Sequence, residues 1–452
     1  MPPSNPHATT KPTRFLSYLI IFALPLSAFW PLGPPTLGYL TPHYDQPALF
    51  WADIPLLALL LALLIKRPSR TTPIPELHLA LITIITLAFI TAPFALYPTW
   101  AFYTACRWLF TLTIYYWFQQ KNLPLTPIIT CFLLTLSLHT LIGLAQIYAQ
   151  QPLGLPAEMT LPITTIRASI LQIPNQPNWL RPYGLTFHPN VLGGYLAVAL
   201  ILAIPRLNQP LIRLLTPLLC LGLFLTFSRS AWLATTLTLL PLLSYLLWQK
   251  QLNHRPLLQT SLLTILTLSL AVLIWHPQLR SRLPIPQPIS SSTIIPTSPA
   301  PQNNPPPTPN NPPPPDDVEH VSLNERLQLN QAAIRSIIRH PLTGVGAGNF
   351  SQYVARYETR QIHPHPVHNV FLLIFTEISF IGAACWLLIW LTCLQLLYRH
   401  AAHASPTALA FITALFALGL ISLFDFYPWG LPAGQRLFLF LFALVNRTWT
   451  SL

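Results

Sequence analysis

Three histidines and an asparagine stand where a polar stretch of the sequence gives way to an apolar run. The stretch reads His363-Pro-His-Pro-Val-His-Asn369. A neutral imidazole takes up a proton near physiological pH, so such histidines are candidate general bases. Pro366 suits a first helical position, which predicts His368 and Asn369 in the first turn of a membrane helix, where the helix dipole keeps His368 neutral. The alternative is an interfacial histidine that only hydrogen-bonds its loop.

The composition indicates that membrane helices position these residues. Of 452 residues, 52% are hydrophobic and only 8% are charged, whereas soluble domains carry about 25% charged residues. Several apolar runs reach the roughly 20 residues that cross a bilayer. The runs lie at about 15–30, 48–65, 77–96, 99–118, 125–149, 189–205, 211–227, 231–248, 257–275, 367–398, 407–424 and 434–447. The sequence therefore predicts an all-α polytopic membrane protein with about twelve spans, of which the last and shortest is the weakest.

The basic residues predict how these spans are oriented. With the N-terminus inside, twelve lysines and arginines fall in the inner segments, whereas the short outer connections hold only Arg229 and Arg436. Because basic residues favour the cytoplasmic side, both termini are expected in the cytoplasm. The net charge of +13 is spread between the spans rather than gathered in one patch, so no nucleic-acid partner is expected. The five cysteines lie inside apolar runs, which argues against a disulfide framework or a zinc cluster.

Two long outer loops divide the chain. Residues 1–275 carry spans 1–9 and include the outer loop 150–188, while residues 367–452 carry spans 10–12. Between spans 9 and 10 lies a large extracytoplasmic loop, 276–366. Long translocated loops are exempt from the charge rule, so their arginines call for another explanation.

Within the large loop, residues 284–315 contain fourteen prolines and predict a disordered spacer. Order resumes at Ser322-Leu-Asn-Glu325, a capping box that predicts an amphipathic helix over about 323–339 on the outer membrane face. The glycines of 344–348 lack the spacing of a nucleotide-binding loop and predict a flexible turn.

A few charged residues lie within or beside the predicted spans. Asp53 and Arg107 both enter their spans near the outer side, which favours a structural ion pair. Glu377 follows His368 by nine residues and therefore projects from the opposite helix face, which favours helix packing over orientation of the histidine. Asp425 stands at the outer end of the eleventh run, where it either lines the same vestibule or faces water.

Four stretches together resemble the O-antigen ligase and polymerase superfamily. They are Arg181-Pro-Tyr-Gly-Leu-Thr-Phe-His-Pro-Asn190, Ser228-Arg-Ser-Ala-Trp-Leu233, residues 326–346, and Val367-His-Asn-Val-Phe-Leu372 with Glu377 and Gly382 downstream. Their order and the large outer loop carry the resemblance over 181–382, whereas the first five spans resemble the family only in topology. The size of the proline-rich insert departs from the family pattern.

The resemblance implies a GT-C-like glycosyltransferase of the bacterial inner membrane, multi-pass and acting at its outer face without a metal or other cofactor. Such enzymes transfer a glycan from undecaprenyl diphosphate to the lipid A core, to another glycan or, in related members, to a protein hydroxyl. The resemblance assigns the catalytic histidine and asparagine to His368 and Asn369, and the donor diphosphate to Arg181 and Arg326. Beside them, His188, Asn190, His365 and Glu377 are candidate supporting residues.

These residue types suit that chemistry. A positioned base accelerates attack by a hydroxyl group by roughly 10²–10⁴-fold. Guanidinium groups bind phosphate oxygens bidentately and stabilise a diphosphate leaving group. No pair of carboxylates like that of soluble glycosidases is evident, so inversion in a single displacement is the hypothesis.

Several alternatives remain open at this point. A polymerase of the same superfamily fits the same residues. A transporter of lipid-linked sugars predicts internal repeats and charged residues at the bilayer midplane, and a membrane scaffold would use the proline-rich loop alone. A zinc site at His363, His365 and His368 is a further alternative, although their spacing is uncommon for zinc.

Overall fold

The computed structural model of the chain describes residues 11–34, 46–66, 70–161, 169–171, 178–280, 317–358 and 364–450. The proline-rich segment 284–315 and His363, which carry predictions above, lie outside these residues. Helices make up most of the described part, and each of the predicted apolar runs contains a helix.

The first half of the chain contains helices α1 to α10. They are α1 (Lys11–Ala23), α2 (Asp53–Lys66), α3 (Pro75–Thr91), α4 (Pro98–Phe118), α5 (Leu125–Ala149), α6 (Pro156–Met159), α7 (Pro189–Ala203), α8 (Pro210–Leu225), α9 (Arg229–Trp248) and α10 (His254–Arg280). Two short antiparallel pairs accompany them: β1 (Phe29–Pro31) with β2 (Ala48–Phe50), and β3 (Ile170–Leu171) with β4 (Trp179–Leu180).

The second half contains helices α11 to α17. They are α11 (Asp317–Arg339), α12 (Phe350–Tyr357), α13 (Val370–Ile378), α14 (Phe380–His400), α15 (Pro406–Ile421), α16 (Tyr427–Gly430) and α17 (Pro432–Trp449). Many of the helices in both halves begin at a proline, which has no N–H to lose and a backbone angle suited to a first helical position.

Among the described residues, six helices are long and apolar enough to cross a membrane. They are Pro75–Phe94, Leu125–Ala149, Pro189–Arg206, Arg229–Trp248, His254–Trp275 and Phe380–His400. Together with the scarcity of strands, they support the predicted class, a multi-pass helical membrane protein. The number of twelve spans, the GT-C-like arrangement and the side on which each loop lies stay predictions.

The predicted tenth span, 367–398, is two helices rather than one. Helix α13 ends at Ile378 and α14 begins at Phe380, because Ser379 has φ 122° and breaks the helical path. The predicted helix start at Pro366 is also wrong. Helix α13 begins at Val370, with Asn369 as its N-cap, so His368 lies just outside the helix instead of in its first turn.

Helices α7 and α17 form the centre of the bundle. Every residue of α17 from Ala433 to Asn446 is buried, and α7 is buried along nearly its whole length. The twelfth run looked weak in sequence because it is short. Its polar residues bond inside the bundle: Arg436 Nε donates to the carbonyl of Leu24 at 2.9 Å, and the Asn446 carbonyl oxygen accepts from the Ile74 N–H at 3.0 Å.

The predicted ion pair between Asp53 and Arg107 is confirmed. Arg107 Nη1 lies 2.5 Å from Asp53 Oδ2, and both side chains are buried. The same carboxylate oxygen accepts from the Phe50 N–H at 2.9 Å. The pair therefore ties α4 to the start of α2 and to strand β2, which is a structural role.

Helix α11 spans the stretch predicted as an amphipathic helix and begins six residues earlier, at Asp317, while its place on the outer membrane face stays a prediction. Arg335 of α11 forms a two-pronged ion pair with Glu358, which follows α12. The glycine segment 344–348 is not a free turn. Val345 N–H donates to Thr376 and Gly346 N–H donates to Glu377, so the carbonyls left open by the break at Ser379 hold it in place.

Candidate active site

Arg181 is buried in the loop that leads into α7. Its Nη1 donates to the carbonyl of Thr226 at 3.3 Å, and its Nη2 lies 3.4 Å from Nε2 of His188. The side chain is only 6% exposed. A guanidinium held this firmly beside the end of α8 presents a permanent positive charge at a defined place.

His188 and Asn190 connect this loop to the other half of the site. His188 caps α7, and its Nδ1 accepts from the Asn190 N–H at 3.0 Å. The Asn190 side-chain amide donates to Asp425 Oδ2 at 2.9 Å, across 235 residues of sequence. These two candidate supporting residues therefore join the Arg181 loop to the turn between α15 and α16.

His368 lies against that same turn. Its ring meets the Phe426 ring edge to face, with centroids 5.4 Å apart. Nδ1 is enclosed and has no hydrogen-bond partner among the described residues, which leaves Nε2 for a substrate. Burial, together with the positive charge of Arg326 and the proximity of His365, lowers the pKa of His368 from 6.5 to about 3. The ring is therefore neutral at physiological pH, as the sequence predicted, although the cause is its surroundings rather than a position in a helical turn.

Asn369 holds the backbone next to His368. Its side-chain carbonyl accepts from the Leu372 N–H at 3.1 Å, and its amide donates to the Leu423 carbonyl at 3.3 Å. The Val370 N–H donates to Ser422 at 2.8 Å. Asn369 thus caps α13 and fastens it to the turn that carries Asp425, which makes it a positioning residue in this arrangement.

Asp425 is a site residue that sequence reasoning left undecided. It is 5% exposed, so it does not simply face water. Burial raises the pKa of its carboxyl group, while the Asn190 amide, the charge of Arg326 and the Phe426 N–H favour the ionised form. Arg326, half-buried on α11, is therefore close enough to act electrostatically on both Asp425 and His368.

Glu377 is buried away from His368 and supports other residues. Its Oε2 accepts from Trp429 Nε1 at 2.9 Å, and backbone N–H groups of Gly348 and Phe350 also bond to it. It therefore fixes the glycine segment and α16 against α13. This is a packing role, which the sequence had favoured over orientation of the histidine.

Two histidines of the segment 363–368 remain, His365 and His363. His365 is half-buried and interacts electrostatically with His368, whereas His363 lies outside the described residues. Within the part of the chain that the structure describes, no three His, Cys, Asp or Glu side chains come close enough together to hold a metal ion.

An apolar cavity of about 460 Å³ lies between α7, α8, α9 and α10. Phe224 and Trp232 line it where α8 ends and α9 begins, and Leu207 and Leu257 line it toward the opposite ends of the helices. Phe224 is two residues before Thr226, whose carbonyl binds Arg181. The lining of the cavity thus comes within two residues of the carbonyl that binds Arg181.

Residues 214–387, less than half of the chain, match the family described as O-antigen ligase, which supports the predicted superfamily. The match contains Arg326, His368, Asn369 and Glu377, and it leaves Arg181, His188, Asn190 and Asp425 outside. No curated protein matches the chain.

Proposed function

We propose that this chain, whose residues 214–387 match the O-antigen ligase family, transfers a glycan from undecaprenyl diphosphate to an acceptor hydroxyl. The protein would thus be a glycosyltransferase-like membrane enzyme of O-antigen biosynthesis. In the proposed site, His368 is the base, and Arg181 and Arg326 hold the donor diphosphate.

The proposed reaction is a single displacement. Nε2 of His368 takes the proton as the acceptor oxygen attacks the anomeric carbon. The bond from that carbon to the diphosphate oxygen breaks, and its electron pair leaves with the polyprenyl diphosphate. The configuration at the anomeric carbon inverts, and the imidazolium then returns its proton to water. No metal or other cofactor takes part in this scheme.

One observation carries the proposal: polar contacts run from Arg181 through His188 and Asn190 to Asp425. Arg326 lies close enough to act electrostatically on both Asp425 and His368. The proposal therefore puts cations that can hold a diphosphate near a group that can accept a proton.

The apolar cavity lined by Phe224, two residues before the carbonyl that binds Arg181, supports the proposal of a lipid-linked donor. A polyprenyl chain needs apolar surroundings, and its diphosphate needs cationic ones. In the proposal, the isoprenoid units next to the diphosphate lie in the cavity between Phe224 and Leu257, and the diphosphate meets Arg181 at its end. The acceptor is a lipid A core sugar, another glycan or a protein hydroxyl.

The pH dependence of the reaction should reflect the low pKa of His368. The imidazole is neutral above its folded pKa of about 3 and loses its basic form only as the pH falls through that value. We therefore expect kcat/KM to show no acid limb with a pKa near 6.5 between about pH 5 and 8. Initial rates at subsaturating donor across this range measure it. An acid limb near 6.5 that survives in His365→Ala would contradict a neutral His368.

Deletion of the gene separates the two members of the proposed class. A ligase predicts that surface polysaccharide chains keep their length but lose their attachment, whereas a polymerase predicts that long chains disappear. The measurement is electrophoresis of the surface glycan with and without a plasmid-borne copy. Unchanged surface glycan in the deletion strain would contradict both.

A further inference from the structure

One face of α5 contacts the segment 180–185, which carries Arg181. His139, Gly143 and Gln146 of that face are spaced by four and three positions, so they fall on one side of the helix, and Gln150 follows directly after the helix ends at Ala149. Each of them meets a different part of the segment. The contact therefore extends along the last three turns of α5.

Gln146 forms the centre of this contact. Its carbonyl oxygen accepts from the N–H groups of Tyr183 and Gly184, at 3.2 and 2.9 Å. Its amide donates to the Gly184 carbonyl at 2.8 Å and to Glu158 Oε1 at 2.9 Å. All its hydrogen-bonding capacity is used, and the side chain is fully buried.

Glu158 of α6 supports the same segment from the other side. Its Oε1 accepts from the Tyr183 hydroxyl at 2.6 Å, and its Oε2 accepts from the Leu153 N–H at 2.7 Å. A buried carboxylate is costly unless its oxygens are bonded, and here both are. The network is thus complete, which gives it a single geometry.

The ends of the segment are fixed as well. The Leu180 N–H donates to Gln150 Oε1 at 2.9 Å, and the Arg181 N–H donates to the Ser169 carbonyl at 2.9 Å. Pro182 packs on Gly143 so closely that a Cβ there would stand 2.7 Å from the proline Cβ. The backbone on both sides of Arg181 is therefore held directly by α5, by Gln150 at its end, or by Ser169 in the loop that precedes Arg181.

We infer that Gln146 and Glu158 are positioning residues for donor binding, and that they act by fixing the backbone from which Arg181 reaches the diphosphate. The inference rests on the proposed function. It extends that function to α5 and α6, which lie outside the stretch 214–387 that matches the family. A displacement of about 1 Å at a positioned group costs up to about 10²-fold in rate, so a fixed backbone is a requirement of the chemistry.

The test is a double-variant cycle on donor binding. The probe is undecaprenyl diphosphate, titrated into the full-length protein in lipid nanodiscs to give a Kd. Gln146→Leu is measured alone and combined with Arg181→Ala, and Tyr183→Phe serves as a milder variant in the same cycle. If Gln146 acts through Arg181, its substitution raises the Kd about tenfold in the wild type and has no further effect without the guanidinium.

Asn446→Leu is the matched control. Asn446 is also a fully buried amide that bonds to backbone. It lies near the C-terminal end of α17, about 20 Å along the helix from Pro432, where α17 begins after the turn that carries Asp425. Its substitution should lower thermal stability without changing the Kd for undecaprenyl diphosphate.

Each outcome decides the question. A Kd raised by Gln146→Leu or Tyr183→Phe only when Arg181 is present supports the inference. No change in Kd, or the same change with and without Arg181, overturns it while leaving the role of Arg181 intact. If Arg181→Ala itself leaves the Kd unchanged, the proposed donor site fails, and the inference fails with it.

Discussion

His368→Ala is expected to lower kcat for glycan transfer by about 10²–10⁴-fold, the usual contribution of a positioned general base. The ring packs edge to face on Phe426 within the electrostatic reach of Arg326, and its enclosed Nδ1 leaves Nε2 to meet an acceptor hydroxyl. Alanine leaves no group there to take the proton. Because Asn369 and Val370 hold the backbone independently of the ring, the protein should still fold and insert. Single-turnover transfer by the purified variant measures the effect.

His340→Ala is the control for this substitution. His340 is an exposed histidine that follows α11, and its ring meets Tyr353 edge to face. It lies on the same predicted outer loop but takes no part in the proposed site. Its variant should transfer glycan at the wild-type rate. If His368→Ala also did so, the base would have to be another group.

Arg181→Lys and Arg326→Lys are expected to lower kcat/KM for the donor by about 10–10²-fold each. Lysine keeps the positive charge but loses the planar fork that binds two phosphate oxygens at once. A charge-assisted hydrogen bond contributes about 1.5–3 kcal/mol, and each 1.4 kcal/mol is a factor of about ten. Rates measured over a range of donor concentrations at saturating acceptor separate this effect from acceptor binding.

Arg335→Lys provides the matched control for Arg326. Both arginines belong to α11, but Arg335 is paired with Glu358 and does not reach the site. Its replacement should leave donor kinetics unchanged. Donor kinetics that are equally unchanged in Arg181→Lys and Arg326→Lys would argue against diphosphate binding by these residues.

Hydropathy located the helices because a bilayer requires continuous apolar runs, whatever their packing. It could not locate the break at Ser379, since neither proline nor glycine marks it. A serine at φ 122° is strained, and it persists because the glycine segment 344–348 bonds to the carbonyls that the break exposes. That stabilisation comes from residues about thirty positions away, which no local pattern reveals.

The start of α13 shows two local signals in competition. Proline favours a first helical position, and asparagine favours the N-cap. Pro366 and Asn369 offered both, and the structure uses Asn369 because its amide also reaches the Leu423 carbonyl. The sequence contained the correct signal, but only the tertiary contact decides between the two.

The candidate site was likewise only partly predictable from local sequence. The resemblance to O-antigen ligases named Arg181, Arg326 and His368 as candidates for one site. The role of Asp425 depends on Asn190, 235 residues earlier in the chain, so it could not be assigned from its own surroundings in sequence. Gln146, an amide in an apolar run, and Glu158, a carboxylate in a polar loop, carried no signal, because such residues become informative only once their partners are known.

The most direct test of the account is reconstitution of the purified protein in proteoliposomes with a labelled undecaprenyl-diphosphate glycan and candidate acceptors. The proposed transfer should form a new glycosidic product and free undecaprenyl diphosphate in equal amounts, and both should disappear in His368→Ala. Movement of the intact donor between the two leaflets, with no glycosidic bond formed to any acceptor, would contradict it and identify a transporter instead.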